Sequence, residues 1–246
     1  MAKIYIYAMK KLALLLLIFS LSACDVLEQV ARDSARLGPP SKSEISQGIR
    51  EALIVGATNA VLQTSKENGF YGNQLIKIPF PPEAQKGAST LNDLGFNKQV
   101  DQFVETMNHA AEKAAEKAKP IFVKAIKQMT LRDVYDIWRG DDDAATQFLK
   151  RTTTNALKAE FRPVIQNAIN QVELTKHWNP VITTYNQIPF TTKVNPNLDE
   201  YILDETLNGL FTVIAKEEEK IRENPSARVS AILQRVFGYS AGNATP

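Results

Sequence analysis

The sequence predicts a mainly α-helical fold: an irregular single-domain helical bundle with at most one or two short extended segments. Apolar residues recur at spacings of three and four along most of the chain, which is typical of amphipathic helices. Glycine, proline, asparagine and aspartate interrupt these runs and indicate turns between the helices. Only Ile76–Phe80 and Ile188–Thr192 have the composition of strands.

The chain is organised around residues 120–163, where three helices are predicted with turns between them. Pro120 suits the first turn of a helix, in which its missing N–H has no intrahelical partner to lose. Thr130 is the predicted N-cap of the second helix, with Asp133 three residues later in a variant of the capping box. Gly140 is expected to end that helix in a left-handed conformation.

An acidic turn, Asp141–Asp143, precedes the third helix, which is predicted to begin at Ala144. One of the three aspartates is the expected N-cap, and the others favour the positive end of the helix dipole. Pro163 is expected to kink this long helix or to split it. Its predicted apolar face consists of Phe148, Thr152, Leu157, Phe161, Ile165 and Ile169.

Further helices are predicted on both sides of this stretch. Ser43 is the expected N-cap of the first, and the helix from Val100 tapers into alanines, which suggests close approach to a neighbouring helix. A long helix after Asn197 closes with the charged run Lys216–Arg222, interpreted as a solvated end. The last helix is predicted to stop at Gly238.

Three stretches of the chain are specific in their order and wording: AKPIFVKAIKQMT (Ala118–Thr130), GDDDAATQFLKRTT (Gly140–Thr153) and LNGLFTVIAKEEEKIRENPSAR (Leu207–Arg228). Together they resemble the uncharacterised bacterial proteins grouped as domain of unknown function 4197. The resemblance covers about residues 43–238 and implies a helical, exported, often lipid-anchored protein with no assigned activity. One departure is that Arg139 and Asp141 flank Gly140 where the family tends to have a second glycine, which makes this turn more charged.

The N-terminal segment has the features of a bacterial lipoprotein signal. Lys10 and Lys11 precede an apolar run, Leu12–Leu21, that is shorter than the ~20 residues a spanning helix needs. Small residues then lead to Cys24, the pattern of a secretory cleavage site. It resembles the lipobox, in which Cys24 carries the covalent lipid and residues 1–23 are removed. An uncleaved anchor, or a coincidental cysteine, is the alternative.

Lipidation of Cys24 would hold the mature chain on a membrane, because two or more acyl chains give stable anchoring. The expected location is the bacterial cell envelope, facing the periplasm, and Asp25 slightly favours the inner membrane by its resemblance to enteric lipoprotein sorting. The predicted organisation is a flexible tether over residues 24–42, a helical domain over 43–238 and a disordered tail over 239–246. The true start, Met1 or Met9, is left open.

Charge and cysteine content narrow the class of protein. The full chain has a formal net charge of +2 with a single cysteine. Removing residues 1–23 removes three lysines and no acid, which leaves a net charge of about −1. We therefore predict no nucleic-acid partner, since such a partner calls for a concentrated basic patch. No disulfide can form within the mature domain, so its core must supply its stability.

The acidic turn is the first candidate for chemistry. Helix capping is the favoured interpretation of Asp141–Asp143, because adjacent aspartates point in different directions and lack the alternating spacing of a calcium loop. A divalent metal and a polar groove of Arg139, Asp142 and Arg151 are the alternatives. Trp138 lies beside the turn, where packing in the core is favoured over lining a binding groove. No cofactor and no metal site are predicted.

His109 is the second candidate. Glu105 and Glu112 lie four residues before it and three after it on one helix face. A di-iron bundle would need a glutamate at the position of Thr106, so that hypothesis fails. A structural or exposed His109 is the favoured interpretation.

Two function classes remain. The favoured one is a periplasm-facing lipoprotein acting as a binding or scaffolding module, with an envelope protein or an apolar ligand as its partner. The alternative is a metal-dependent or hydrolytic enzyme that uses Asp141–Asp143 and Arg151. The mature chain has no thiol beyond Cys24 and no G-x-S-x-G motif, which favours the non-enzymatic class without deciding the question.

Overall fold

A computed structural model describes residues 38–81, 97–171, 187 and 198–242, and these ranges contain helices but no strand. The prediction of a mainly α fold is therefore confirmed. The described α-helices are α1 (Lys42–Ser65), α2 (Asn97–Ala115), α3 (Ala118–Lys127), α4 (Leu131–Arg139), α5 (Ala144–Asn170), α6 (Leu198–Glu223) and α7 (Ala231–Gly242), and a 3₁₀ turn, Pro225–Ala227, lies between the last two.

Contacts within the chain divide it into two compact units. The central unit comprises Ala52–Glu219, and the terminal unit comprises the chain up to Glu51 together with the chain from Lys220.

The central unit is built on α5, against which α2, α3 and α4 pack. Its interior is aromatic and aliphatic, and the rings of Phe122 and Phe211 meet edge to face with centroids 6.1 Å apart. The alanine taper of α2 is completely buried at Ala111, Ala114 and Ala115, as close helix packing requires. The largest fully buried side chains of this unit include Phe70, Phe103, Met107, Phe122, Ile126, Leu149, Leu157, Phe161 and Ile165.

Pro163 lies inside helix α5 and does not split it, which leaves the expected kink as a prediction. The helix follows the predicted apolar face with one difference. Thr153 rather than Thr152 is the buried threonine of the face, and its hydroxyl donates to the Leu149 carbonyl at 2.6 Å. A threonine can occupy a buried helix position because its hydroxyl donates a hydrogen bond to a backbone carbonyl of the preceding turn.

The segment Ile76–Phe80 is irregular rather than a strand. Its Ile78 pairs with the buried side chain of Asn108: the Ile78 N–H donates to Asn108 Oδ1 at 2.8 Å, and Asn108 Nδ2 donates to the Ile78 carbonyl at 2.9 Å. One amide side chain thus replaces the backbone partner that a second strand would provide. Ile188–Thr192, the other predicted extended segment, lies outside the described residues.

In the terminal unit, α1 begins two residues earlier than a cap at Ser43 would place it. Ser41 is the capping residue: its hydroxyl accepts from the Glu44 N–H at 3.2 Å, while Glu44 Oε2 accepts from the Ser41 N–H at 2.7 Å. Gly48 has no room for a side chain, because an added Cβ would lie 2.7 Å from Val236 Cγ2. The predicted cap at Ser43 is therefore wrong by two residues.

The terminal unit also contains a buried arginine. Arg228 Nε donates to the Ile221 carbonyl at 3.1 Å and its Nη2 to the Arg222 carbonyl at 2.7 Å, which satisfies carbonyls at the end of α6. Burial lowers the pKa of Arg228. Helix α7 continues past Gly238 to Gly242, so the predicted stop is wrong and the helix includes the first residues of the predicted tail.

Candidate functional site

The start of α4 matches the sequence prediction in detail. Thr130 has extended backbone, its Oγ1 accepts from the Asp133 N–H at 3.1 Å, and Asp133 Oδ2 accepts from the Thr130 N–H at 2.8 Å. The hydroxyl of Thr130 also donates to Asp133 Oδ2. The hydrogen bonds from Thr130 lower the pKa of the Asp133 carboxyl; the one from its side chain has the larger effect and the one from its backbone the next largest.

The other end of α4 carries a surface group that we call the aromatic–arginine patch, formed by Tyr135, Trp138 and Arg139. The two rings meet edge to face with centroids 6.2 Å apart. The exposed guanidinium of Arg139 lies 5.6 Å from the Trp138 ring centroid and 5.9 Å from that of Tyr135, within cation–π range. The indole Nε1 of Trp138 is buried without a hydrogen-bond partner in the described part of the chain.

Gly140, which ends α4, has φ −80° and ψ −178°, so the predicted left-handed conformation is wrong. Glycine is needed at this position because there is no room for a side chain. A Cβ would lie 2.9 Å from the Cβ of Ala144 and would collide with the Asp136 carbonyl oxygen.

The acidic turn Asp141–Asp143 is exposed. Asp143 occupies the N-cap position of α5, but its side chain makes no capping hydrogen bond and instead accepts from Gln147 Nε2 at 2.8 Å. The carboxylates of Asp141 and Asp142 make no hydrogen bond or ion pair with another described residue. No group of three potential metal ligands occurs in residues 38–81, 97–171 and 198–242.

Arg151 extends toward the start of α4 rather than toward the acidic turn. Its side chain is 68% exposed, its Nη2 lies 3.9 Å from Asp133 Oδ1, and its guanidinium lies 5.7 Å from the Phe148 ring centroid. Of the residues that the sequence proposed for a site, the structure thus brings Trp138 and Arg139 together and leaves Arg151 in a separate contact.

A distant glutamate caps α5. Glu218 of α6 is buried; its Oε1 accepts from the Ala145 N–H at 3.0 Å, and its Oε2 accepts from the Thr146 N–H and the Thr146 hydroxyl, both at 2.8 Å. The expectation that an aspartate of the turn caps this helix is therefore wrong. A carboxylate at this position also matches the positive end of the helix dipole.

Two further buried glutamates in the central unit also accept hydrogen bonds from residues distant in the chain. Glu217 accepts from Asn59 Nδ2 at 3.0 Å and from Gln63 Nε2 at 2.9 Å, both on α1. The run around Glu217 and Glu218 is thus not the solvated helix end that the sequence suggests: these side chains are only 5% and 7% exposed. Its local composition, three glutamates between lysines, gives no signal of burial.

Glu112 is the third buried glutamate, and it connects α2 to the loop that follows α1. Its Oε1 accepts from the N–H groups of Phe70 and Tyr71 at 3.0 and 3.1 Å. Its Oε2 lies 2.8 Å from Nδ1 of His109, and Glu105 lies 3.7 Å from the other ring nitrogen. The expected structural role of His109 agrees with this geometry. The hydrogen bond to Glu112 raises the pKa of His109.

Cys24, its signal segment and the tether up to residue 37 lie outside the described residues. Among the described helices, none combines the length and the apolar character needed to cross a membrane.

Comparisons with known proteins identify the family. No curated protein and no solved structure matches the chain. The profile of one family, described as a protein of unknown function (DUF4197), matches residues 39–238, which is most of the chain. The chain therefore belongs to the DUF4197 family.

Proposed function

We propose that this protein is a lipid-anchored component of the bacterial cell envelope whose helical body binds a protein partner on the periplasmic side. The anchor follows from the sequence at Leu21–Cys24, where small residues and a cysteine end a short apolar run. The membrane is reached through the covalent lipid on Cys24, and the body itself contributes no catalysis.

The observation that carries the binding role is how the central unit uses its buried carboxylates. Glu112, Glu217 and Glu218 each accept hydrogen bonds on both oxygens from backbone N–H groups or from side chains that hold the fold together. Because these carboxylates are buried and bonded to groups of the fold, they are not placed to reach a substrate. These acids support the architecture, which favours a binding module over an acid–base enzyme.

The aromatic–arginine patch is the surface best suited to the partner. Tryptophan, tyrosine and arginine are the residues that most often dominate the binding energy of protein interfaces. Arg139 offers a planar group for carboxylate recognition, and the neighbouring acidic turn offers the opposite charge at its edge. We therefore expect a protein surface that pairs an acidic group with Arg139 and packs apolar atoms on Tyr135 and Trp138.

The test places a photo-crosslinking amino acid at Arg132 in the full chain expressed in its native host. Arg132 is exposed and lies on the same face of α4 as Tyr135 and Arg139, at spacings of three and seven. We expect crosslinks to one envelope protein, reduced about fivefold by Arg139→Ala. The matched control places the probe at Leu62, which is 63% exposed on α1.

Two results would contradict the proposal. Equal crosslinking from positions 132 and 62, or crosslinking that does not respond to Arg139→Ala, would remove the patch from recognition. Mass spectrometry of the native product tests the anchor separately: a chain without acyl groups on Cys24, or one that retains residues 1–23, would remove the assigned location.

A further inference from the structure

One stretch of the central unit has an unusual charge. Within residues 113–127 there are five lysines and a single acid, Glu116, in a protein whose acids and bases otherwise nearly balance. All five lysines are exposed. We call them the lysine face: Lys113, Lys117, Lys119, Lys124 and Lys127.

Helix geometry gathers these charges on one side of α3. Ala118, Phe122 and Ile126 are its buried residues. At 3.6 residues per turn, Lys119, Lys124 and Lys127 fall within an arc of about 140° that begins beside Ile126, with Lys124 and Lys127 on the side away from the buried residues. Lys113 ends the exposed side of α2 and Lys117 lies in the turn between the two helices, so the positive charge continues across the junction.

Four of the five lysines of the lysine face are not neutralised within the described part of the central unit. Lys113, Lys117, Lys119 and Lys124 make no ion pair with another described residue. By contrast, Lys158 on α5 lies 2.8 Å from Glu200 and 2.6 Å from Asp204. Lys158 is thus paired with acids, whereas these four exposed lysines have no acidic partner among the described residues.

We propose that the lysine face docks on a bilayer surface containing anionic phospholipids. This inference rests on the proposed lipid anchor, because the 19 residues from Cys24 to Lys42 reach at most about 70 Å when fully extended. Covalent attachment near the surface makes a weak electrostatic contact effective, since binding of the body becomes intramolecular. Clustered lysines are attracted to anionic headgroups without needing a shaped pocket.

The experiment uses the full lipidated chain reconstituted into vesicles. Because Cys24 is the sole native cysteine, Glu116→Cys gives a unique site for a fluorophore within the lysine face. Vesicles carry a headgroup quencher and either phosphatidylcholine alone or a mixture with phosphatidylglycerol. We expect quenching only with phosphatidylglycerol, and we expect high salt to abolish it. The double variant Lys119→Glu/Lys124→Glu should reduce the quenching about fivefold or more.

The control variant Lys66→Glu/Lys98→Glu changes the net charge by the same amount at exposed lysines elsewhere in the central unit and should keep the quenching. Quenching that is equal in both vesicle types, or equal in the two double variants, would overturn the proposal. So would a fluorophore that responds to added duplex DNA and not to phosphatidylglycerol. Mass spectrometry of Cys24 on the same sample separates the outcomes: an acylated chain without lipid-dependent quenching refutes the lysine face alone.

Discussion

Two helices of the central unit begin close together in the sequence and are capped in opposite ways. Helix α4 is capped by Thr130 and Asp133, three residues apart. Helix α5 is capped by Glu218, more than seventy residues further along the chain, although three aspartates lie directly before it. The comparison shows that a suitable residue at the right position in the sequence does not decide which side chain caps a helix.

Burial explains the difference. The first turn of α4 is exposed at Leu131 and Arg132, so its N–H groups can use water or a short local cap. The first turn of α5 is buried at Ala145 and Thr146. Buried N–H groups without a partner cost free energy, and a carboxylate that arrives from the adjoining helix satisfies two of them at once.

The largest expected effect follows from breaking the remote cap. Glu218→Gln keeps the shape of the side chain but removes its charge and turns one acceptor into a donor. Because hydrogen bonds to charged groups contribute about 1.5–3 kcal/mol, we expect the free energy of unfolding to fall by about 2–3 kcal/mol. Chemical denaturation monitored by circular dichroism measures this change.

Glu219→Gln is the matched control. Glu219 directly follows Glu218 in the same helix, is half-exposed and forms an ion pair with Lys216. It should change stability by about 0.5 kcal/mol or less. If the two substitutions cost the same, Glu218 does not cap α5 in solution.

A smaller effect is expected from the local cap. Thr130→Ala removes the hydroxyl that accepts from the Asp133 N–H, and loss of such a cap costs about 1 kcal/mol. The same denaturation experiment applies. Thr154→Ala is the control, because this exposed hydroxyl bonds only to a carbonyl within α5. A cost at Thr130 no larger than at Thr154 would show that the capping box contributes nothing.

The features that the sequence predicts are the local ones. Thr130 and Asp133 lie in one turn, and the apolar positions of α5 repeat every three or four residues, so the residues themselves carry the information. The mainly α fold and the family resemblance follow from the same signals. The lysine face could also have been found, because its five lysines lie within fifteen residues.

What the sequence could not predict depends on residues that are distant in the chain. Nothing near Glu217 and Glu218 distinguishes them from an exposed charged run, since their partners are on α1 and α5. Gly140 is a different case, because the atoms that exclude a side chain belong to Asp136 and Ala144, each four residues away, and the sequence does not show that the backbone brings them so close. Tertiary packing determines only the burial of Glu217 and Glu218.

The contact between Glu112 and His109 is expected to make the stability of the fold depend weakly on pH. Glu112 holds the backbone of Phe70 and Tyr71 and also contacts His109. Because the pKa of His109 is raised on folding, its protonated form stabilises the fold below its unfolded pKa of about 6.5, and this contribution is lost as pH rises through the folded value. The side chain is 42% exposed, so screening keeps the effect well below about 1 kcal/mol.

The measurement compares unfolding at about pH 6 and about pH 8 for the native chain and for His109→Gln. We expect the native chain to lose stability between the two values and the variant to lose less. A variant with the same pH dependence as the native chain would exclude His109 as the group responsible.

The smallest effect is expected in the acidic turn. Asp142 is exposed and makes no hydrogen bond or ion pair with another described residue, so Asp142→Ala should change the free energy of unfolding by about 0.5 kcal/mol or less. Asp143→Ala should cost little more, because only the exposed contact with Gln147 is lost. Both values are expected to lie far below the cost of Glu218→Gln.

The same Asp142→Ala variant discriminates between a solvated turn and the alternative of a metal-dependent or hydrolytic site. Titration calorimetry with Ca²⁺, Mg²⁺ and Zn²⁺ on the native chain and on the variant is the measurement. If the native chain binds one of these ions and Asp142→Ala abolishes the binding at unchanged stability, the turn is a metal site and the binding role proposed for this end of α4 must be revised. If neither chain binds an ion, the three aspartates serve as solvated charge beside a helix whose cap comes from elsewhere.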